Sequence, residues 1–155
     1  MLVTMYQGPN TEARQDYLKI ILDLKNKAAD GDGFISNKEI ATAFHVQPPS
    51  VSGILAKLQE AGLVEWRKRR GARLTVKGLA HARKVIEMHD IVNSYLTIVL
   101  KAEDVDLKER VACKMEHILL NEPSLARILE ESIDAAQRRT LMDLTSEEYR
   151  GVDGS

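Results

Sequence analysis

The sequence contains almost no cysteine, and this excludes two common ways of stabilising a small protein. Its 155 residues include a single cysteine, Cys113. One thiol can form neither an internal disulfide nor a cysteine-rich zinc site. Three roles are left for Cys113: a core thiol, a nucleophile or one metal ligand among others.

Long apolar runs and familiar enzyme motifs are also missing. No run approaches the roughly 18 residues that span a bilayer, and residues 1–10 lack the charged start and apolar stretch of a signal peptide. We therefore expect a cytoplasmic protein that makes no membrane contact. No nucleophile elbow, phosphate-binding loop or dinucleotide fingerprint occurs. We predict that the chain is not an enzyme and takes no small organic substrate.

Net charge is close to zero, but the charged residues are unevenly distributed. The 22 Lys and Arg residues nearly balance the 23 Asp and Glu residues. Residues 1–102 carry a net charge of +5, from 15 basic and 10 acidic side chains, whereas residues 103–155 carry −6, from 7 and 13. Residues 63–78 hold six basic side chains and one acidic side chain. This local concentration of positive charge favours nucleic acid as a partner.

The first half of the chain predicts a helix-turn-helix. Apolar residues at helical spacing predict a first helix over residues 11–27, and a capping box at Ser36–Glu39 opens a short second helix. The periodic stretch 50–61 predicts a third helix. Pro48-Pro49 should precede this helix, and Gly62 suits its C-terminal cap.

A β-hairpin is predicted next, and it completes a winged helix-turn-helix. Two short alternating runs, residues 63–66 and 72–75, flank a basic segment that contains Gly71. Alternation of this kind around a glycine-containing turn is typical of two antiparallel strands. This hairpin is the expected wing.

The second half of the chain predicts helices only. Their expected ranges are residues 77–101, 107–120, opened by a second capping box at 106–109, and 123–138. We accordingly predict a mainly α protein. Its expected parts are a winged helix-turn-helix domain over residues 1–76, a helical domain over 77–138 and an acidic tail over 139–155.

The winged helix-turn-helix carries polar and basic side chains where DNA contacts are made. A helix that enters the major groove needs short polar side chains near its N-terminus and a cationic arm beside it. The helical candidates are Asn37, Gln47, Pro49, Ser50, Ser52 and Gly53. The candidates in the wing are Arg67, Lys68, Arg69 and Arg70, which would contact phosphates or the minor groove. The alternatives are a winged helix used for protein contacts and a hairpin that is simply solvated.

One face of the predicted helix 107–120 combines side chains of the types that bind metals. Glu109, Cys113, Glu116 and His117 fall within an arc of about 100°. Carboxylates, a thiol and an imidazole suit manganese, iron, cobalt, nickel or zinc better than calcium. The alternative is a polar solvent face with one incidental cysteine.

His89 lies in the apolar stripe of the preceding long helix, with Asn93 one turn later. A single buried histidine of this kind is either a satisfied core residue or a functional group. The sequence leaves both interpretations open.

Residues 28–39 imitate much of an EF-hand calcium loop. Asp30 and Asp32 occupy its third and fifth positions and Glu39 its twelfth. The first position is Ala28, which offers no ligand, and the chain has no partner loop. Since Glu39 also belongs to a capping box, we interpret this segment as a turn between two helices.

Taken together, these features resemble the metal-dependent repressors typified by the diphtheria toxin repressor and the manganese transport regulator. The resemblance runs from about residue 11 to residue 136. Its most specific pieces are Asp16-Tyr17-Leu18, Pro49-Ser50-Val51-Ser52, Leu74-Thr75, Gly78, His89 and the Cys113-x-x-Glu116-His117 motif. It implies an N-terminal winged helix-turn-helix followed by an all-helical dimerisation domain, in a short-form member without the SH3-like domain.

The resemblance also implies a primary metal site of Asp16, Cys113, Glu116 and His117. An aspartate at the first position resembles the manganese-type members, and a cysteine at the second resembles the iron-type members. Lys19 replaces a carboxylate that the manganese regulator uses.

An ancillary metal site is implied as well, with His89 and Glu109 as its ligands. The family has an acidic residue where this chain has Asn93, and a histidine where it has Glu109. Two of the three ancillary positions have thus changed type.

These observations predict a homodimeric repressor that binds palindromic operator DNA when it is loaded with a divalent transition metal. The ligands favour Mn2+ or Fe2+ and also allow Zn2+. By resemblance, the regulated genes would concern metal uptake. The alternatives are a winged-helix regulator that senses an organic ligand, a calcium-binding protein that uses residues 28–39, and a protein-interaction module.

Overall fold

The computed structural model describes residues 10–28 and 31–152, and it describes the surroundings of side chains within 11–28 and 31–144. The helices in these ranges are α1 (Asn10–Lys27), α2 (Asn37–Ala43), α3 (Pro48–Glu60), α4 (Val76–Ile98), α5 (Val105–Asn121) and α6 (Pro123–Val152). The strands are β1 (Val64–Arg67) and β2 (Gly71–Leu74). This is the mainly α fold that the sequence predicts, a winged helix-turn-helix followed by helices.

The chain divides into two compact units, Met1–Ile86 and Glu87–Ser155. The division falls inside α4, about ten residues beyond the boundary expected at residue 76. The reason is that Leu79, Ala82 and Ile86, in the first turns of α4, pack with the core of the first unit.

Much of the core of the first unit is formed by helices α1, α2 and α3. Leu18 and Ile21 of α1, Ile40 of α2 and Leu55 and Leu58 of α3 are all fully buried. These positions repeat at helical spacing, so each helix turns one apolar face inwards. The arrangement leaves the opposite face of each helix available to solvent.

A capping box begins α2, as predicted. The Glu39 N–H donates to Ser36 Oγ at 3.2 Å, and the Ser36 N–H donates to Glu39 Oε2 at 2.9 Å. Each side chain thereby satisfies a backbone amide that has no acceptor within the helix.

The start of α3 differs from the prediction. Pro48 and Pro49 occupy the first two helical positions and do not precede the helix. The first amides of a helix have no intrahelical acceptor, so proline loses no hydrogen bond there. At the other end, Gly62 has a φ of 72° directly after the C-cap Ala61, which confirms its terminating role.

The wing is an antiparallel hairpin in which Glu65 pairs with Arg73 and Trp66 with Ala72. Each strand is displaced by one residue from its predicted range. Ile35 adds a bridge to Ala72 through hydrogen bonds of 2.8 and 2.9 Å. Gly71, with a φ of 101°, makes this bridge possible, because a Cβ at that position would lie 1.9 Å from the carbonyl oxygen of Ile35.

The second unit is built from the later part of α4 together with α5 and α6. Its core residues are Met88, Ile91, Val92, Ala112, Leu119, Ala126 and Leu129. The N-cap of α5 is Asp104, whose side chain accepts from the Leu107 N–H at 2.9 Å. The predicted capping box at 106–109 is therefore wrong, and Glu109 is left for other contacts.

The last helix is longer than the sequence analysis predicts. α6 runs to Val152, so residues 139–152 of the expected acidic tail are helical. Neither proline nor glycine interrupts the chain between Pro123 and Gly151. With no residue that breaks a helix, nothing local ends it at Arg138.

None of the helices in the described ranges is long and apolar enough to cross a membrane.

Candidate DNA-binding surface and metal centre

The beginning of α3 presents several predicted DNA contacts to solvent. Gln47, Pro49, Ser50 and Gly53 are all exposed. A Cβ added at Gly53 would meet nothing within 4 Å. This end of α3 is therefore a polar surface without steric obstruction, as a recognition helix needs.

Two further predicted contacts, Asn37 and Ser52, are half-buried and bonded to each other. Asn37 Nδ2 donates to Ser52 Oγ at 3.2 Å, and Trp66 Nε1 donates to Asn37 Oδ1 at 3.3 Å. The Trp66 N–H donates to Gln59 Oε1 at 3.0 Å. These bonds connect α2, α3 and β1 within the first unit. Contacts of Asn37 and Ser52 with DNA stay predictions.

Three arginines of the wing surround one aromatic ring, Phe34. The guanidinium carbons of Arg67, Arg70 and Arg73 lie 5.3, 4.6 and 4.8 Å from its centroid. These distances are within the range of cation–π interactions. We name this group, with the two carboxylates that pair with it, the Phe34 cluster: Asp32, Phe34, Glu65, Arg67, Arg70 and Arg73.

The carboxylates of the Phe34 cluster hold its arginines by ion pairs. Asp32 pairs with Arg70. Glu65 pairs with Arg67 at 2.5 Å and with Arg73 at 2.6 Å. The hydrogen bond from Arg73 is the main reason that the pKa of Glu65 is lowered, with a smaller contribution from Arg67 and an opposing one from burial. Glu65 is thus ionised at neutral pH.

The tip of the wing is different. Lys68 and Arg69 are exposed, and the described part of the chain offers neither side chain a partner. Arg69 adopts a φ of 77°, at the turn between the strands. Two cations are therefore available to an external anion, while the three arginines of the Phe34 cluster are engaged within the protein.

The acidic residues of the calcium-like loop have other partners. Asp32 pairs with Arg70 and also accepts from the Phe34 N–H at 3.2 Å. Glu39 accepts from the Ser36 hydroxyl at 2.6 Å, and this bond is the main reason that the pKa of Glu39 is lowered. Asp30 lies outside the described residues. These contacts favour a turn over a calcium site.

A cluster of metal-type ligands lies within the second unit. One donor atom each of His89, Cys113 and Glu116 falls within 4.8 Å of the others. His89 Nδ1 is 2.8 Å from Glu116 Oε2 and 4.0 Å from Cys113 Sγ. Glu109 completes the group, with Oε2 3.1 Å from His89 Nε2 and Oε1 3.4 Å from Cys113 Sγ.

Two residues of the polar face of α5, Glu116 and His117, are buried, whereas Cys113 is half-buried and Glu109 is exposed. Glu116 is 0% exposed and His117 is 6% exposed, whereas Leu107 and Ile118 on the opposite side of the helix are 45% and 50% exposed. Burial of a carboxylate is costly unless a partner compensates it. The burial of Glu116 and His117 favours the metal-ligand interpretation over a simply solvated face, and the role of these residues in metal binding stays a prediction.

His89 connects residues that the resemblance divides between two metal sites. Its Nδ1 contacts Glu116 of the implied primary site, and its Nε2 contacts Glu109 of the implied ancillary site. His117 Nε2 lies 3.7 Å from Glu116 Oε1. Asp16 is half-buried on α1, in the first unit, and its part in metal binding stays a prediction.

Sequence reasoning did not identify the Phe34 cluster. The Glu65–Arg73 pair could have been found, because the two residues face each other once the hairpin has the observed register. Phe34 gives no such signal. It lies in a turn, and only the bridge between Ile35 and Ala72 places that turn beside the wing.

The fold and these side chains define a class of protein. A winged helix-turn-helix with a polar helix α3 and a cationic wing, continued by a helical unit that brings metal-type ligands together, has the architecture of a metal-dependent transcriptional regulator.

Comparisons with known proteins support one family. Residues 10–72 match the family described as iron dependent repressor, N-terminal DNA binding domain. The chain is 27% identical over 137 residues to the HTH-type transcriptional regulator MntR of Lysinibacillus sphaericus, covering 83% of this chain and 91% of that protein. It is 29% identical over 113 residues to an HTH-type transcriptional regulator of Methanocaldococcus jannaschii, covering 72% and 86%.

Solved structures agree with these relatives. The manganese regulator SloR is 32% identical with a TM-score of 0.58, and ScaR with bound Zn2+ is 26% identical with a TM-score of 0.63. The matches cover 76% and 78% of this chain but only 53% of each solved chain, so the chain spans about half the length of those regulators.

Together, the family match over residues 10–72, the MntR relative and the solved manganese regulator support a metal-dependent repressor of the diphtheria toxin repressor and manganese transport regulator type. The family consists of transcriptional regulators and not of enzymes, which confirms the expectation from the sequence.

Proposed function

We propose that the protein is a homodimeric repressor that binds palindromic operator DNA when a divalent transition metal is bound. The observation that carries this proposal is the group of His89, Cys113 and Glu116, whose donor atoms lie within 4.8 Å of one another, with Glu116 fully buried and Cys113 half-buried. An imidazole, a thiol and a carboxylate that are withdrawn from solvent in one place have few uses in a DNA-binding protein other than metal binding.

The spacing of the donor atoms fits a metal ion. Metal–ligand bonds of about 2.0–2.3 Å separate neighbouring donor atoms by roughly 3–4 Å. The His89 to Glu116 and Cys113 to His89 separations of 2.8 and 4.0 Å lie close to this range. Small side-chain adjustments therefore suffice, and the mixture of soft and hard donors suits Mn2+ or Fe2+ and also Zn2+.

The proposed ligands are Cys113, Glu116 and His117 on α5, with Asp16 on α1 as the resemblance implies. His89 is added to this group because its ring contacts Glu116 directly. When bound, the ion supplies positive charge that offsets the negative charge of the carboxylates. Because its affinity differs between the DNA-binding and non-binding arrangements of the chain, its binding favours the DNA-binding arrangement. Cys113 must lose its proton to serve as a ligand, and His89 must be neutral.

Exposed apolar side chains of the second unit support a homodimer. Leu107 and Ile118 are eleven residues apart on α5, which places them on one face three turns apart. Among the described side chains of this unit, the exposed large apolar ones are Leu100, Val105, Leu107, Ile118, Ile128, Leu141, Met142 and Leu144. A monomeric protein rarely exposes so many, and a second copy would bury them in a symmetric interface.

The proposal is tested by titrating chelator-stripped protein with Mn2+, Zn2+ and, without oxygen, Fe2+. Binding to a pool of random-sequence duplex DNA is followed together with metal stoichiometry. We expect sequence-selective binding only with metal. Selective binding without any metal would contradict the proposed switch while leaving the winged helix as a DNA-binding unit.

Variants locate the site. His89→Ala and His117→Ala should reduce metal affinity by at least about tenfold and remove the metal response, and Asp16→Ala should remove the response as well. The matched control is His81→Ala, since His81 lies on the same helix as His89 but is exposed. An unchanged metal response in the His89, His117 and Asp16 variants would exclude this site.

A further inference from the structure

Five cationic side chains lie within residues 67–73 of the wing, and they differ in the contacts that they make within the protein. Arg67, Arg70 and Arg73 each contact the Phe34 ring and each form an ion pair with Asp32 or Glu65. Lys68 and Arg69 have no side-chain partner within the described residues. Positive charge that is already paired gains little from a phosphate, because binding DNA would first break an existing contact.

Phe34 comes from outside the wing. It lies in the turn between α1 and α2, and the neighbouring Ile35 is hydrogen-bonded to Ala72 of β2. The Arg73 guanidinium also donates to the Asp32 carbonyl oxygen at 3.4 Å. The turn and the hairpin are thus joined by backbone bonds, ion pairs and one aromatic ring.

From this arrangement we infer that Phe34 is a positioning residue for DNA binding. The ring gathers three arginines that would otherwise repel one another, and with Asp32 and Glu65 it holds the wing in one shape. The wing's phosphate contacts are then made by Lys68 and Arg69 at the tip. This inference rests on the proposed function, since it concerns how the same protein binds duplex DNA.

The test uses the salt dependence of binding to a random-sequence duplex of fixed length, with Mn2+ at saturation. Each phosphate contact contributes about 0.9 to the slope of log affinity against log salt concentration. Lys68→Ala and Arg69→Ala should each lower the slope by about 0.9 per wing. Phe34→Leu should lower the slope by up to about 1.8 per wing, the value for two phosphate contacts, although this substitution removes no charge. Phe34→Tyr keeps the aromatic ring and should therefore have the slope of the unsubstituted chain.

The chain supplies a matched control, because its only other phenylalanine is Phe44. Phe44 stacks on Tyr17 with ring centroids 4.1 Å apart. Phe44→Leu should reduce stability without changing the salt slope. A general loss of folding would lower the salt slope of both variants alike, whereas a positioning role of Phe34 lowers the slope of Phe34→Leu only.

A double-variant experiment shows which cations the ring acts through. In a chain that carries both Lys68→Ala and Arg69→Ala, Phe34→Leu should cause no further fall in the slope. A further fall would assign the phosphate contacts to the stacked arginines and overturn the inference. An unchanged slope in the single variant Phe34→Leu would overturn it as well.

Failure of the proposed function gives a different result. If the unsubstituted chain binds no duplex at any salt concentration, the proposed function itself is wrong, and the role of Phe34 in DNA binding is wrong with it. If the unsubstituted chain binds but Phe34→Leu matches it, only the inference fails. Fluorescence of Trp66, the single tryptophan, on β1, reports wing structure without DNA and should change in Phe34→Leu but not in Phe34→Tyr.

Discussion

Individual residues in this protein carry contacts that their local sequence does not reveal. His89 looks like a core residue of an amphipathic helix, yet each of its ring nitrogens faces a carboxylate, Glu116 on one side and Glu109 on the other. A ring held at both nitrogens has a fixed orientation. Its Nδ1 therefore faces the same space as the Cys113 thiol, which is what a shared ligand site requires.

Gly53 offers a test of the recognition helix at the scale of one residue. Gly53→Ala should raise the free energy of unfolding by about 0.5–1 kcal/mol, because alanine is the better helix former and the position has room for a methyl group. The same methyl should weaken DNA binding if this surface meets the bases. Denaturant unfolding and fluorescence anisotropy with a selected duplex measure the two effects. Unchanged affinity would remove Gly53 from the interface.

At the scale of secondary-structure elements, the termini of the helices decide where the functional side chains lie. Ser36 and Glu39 fix the start of α2, and Asp104 fixes the start of α5. Because Asp104 serves as the cap, Glu109 lies free of the helix terminus and contacts His89. The wing in turn depends on the one glycine that allows Ile35 to approach β2.

The capping box of α2 predicts a dependence of stability on pH. Hydrogen bonds from Ser36 lower the pKa of Glu39 below its ordinary value of 4.5. A carboxyl group with a lowered pKa in the folded state stabilises the protein above the unfolded-state pKa, and this contribution is lost as pH falls through the folded-state value. Unfolding curves should show Glu39→Gln to be less stable by about 0.5–1 kcal/mol at pH 7, with the difference shrinking below about pH 4.5. A difference independent of pH would contradict the role of the carboxylate.

Gly62, which lies just before the wing, is a matched control for a substitution of Gly71 within the wing. Both have positive φ, but a side chain at Gly62 would meet nothing within 4 Å, whereas one at Gly71 would collide with Ile35. Gly62→Ala should cost about 1 kcal/mol from backbone strain alone. Gly71→Ala should cost more, about 2–3 kcal/mol, and should speed amide exchange at Ile35 and Ala72. Equal costs in chemical denaturation would show that the bridge does not matter to stability.

At the scale of the whole molecule, the charge and apolar surface are divided between the two units. Basic residues are concentrated in the wing of the first unit, and exposed apolar side chains are most numerous in the second. This division agrees with the proposed homodimer, in which the first unit binds DNA and the second meets another copy of the chain. A palindromic operator would match the two-fold symmetry of that proposed dimer.

The homodimer is tested by charging its proposed interface. Ile118→Glu should weaken association roughly 10–100-fold, because a buried isoleucine contributes about 1.5–3 kcal/mol and a glutamate would lose that burial. Val76→Glu is the control, since Val76 is 89% exposed in the first unit. Sedimentation equilibrium measures both. Equal association of the two variants would exclude the α5 face from the interface.

The sequence by itself determined the order of elements, the winged helix-turn-helix and the presence of metal-type ligands on one face of α5. Each of these depends on local chemistry: helical periodicity, the Ser36–Glu39 box, the alternation around Gly71 and the Cys113-x-x-Glu116-His117 spacing. Local chemistry also explains the errors at the ends of elements. Pro48 fits a first helical turn as well as a preceding turn, and no residue near Arg138 breaks a helix.

Only the tertiary structure decided which of these side chains meet. The contact between His89 and Glu116 joins residues 27 positions apart, and the ring of Phe34 reaches Arg67, Arg70 and Arg73 across the wing. Such pairs depend on how helices and strands pack, and packing is set by the sum of many weak apolar contacts. No spacing within one element encodes that sum, so the ligand cluster around His89 and the Phe34 cluster emerge only from the folded chain.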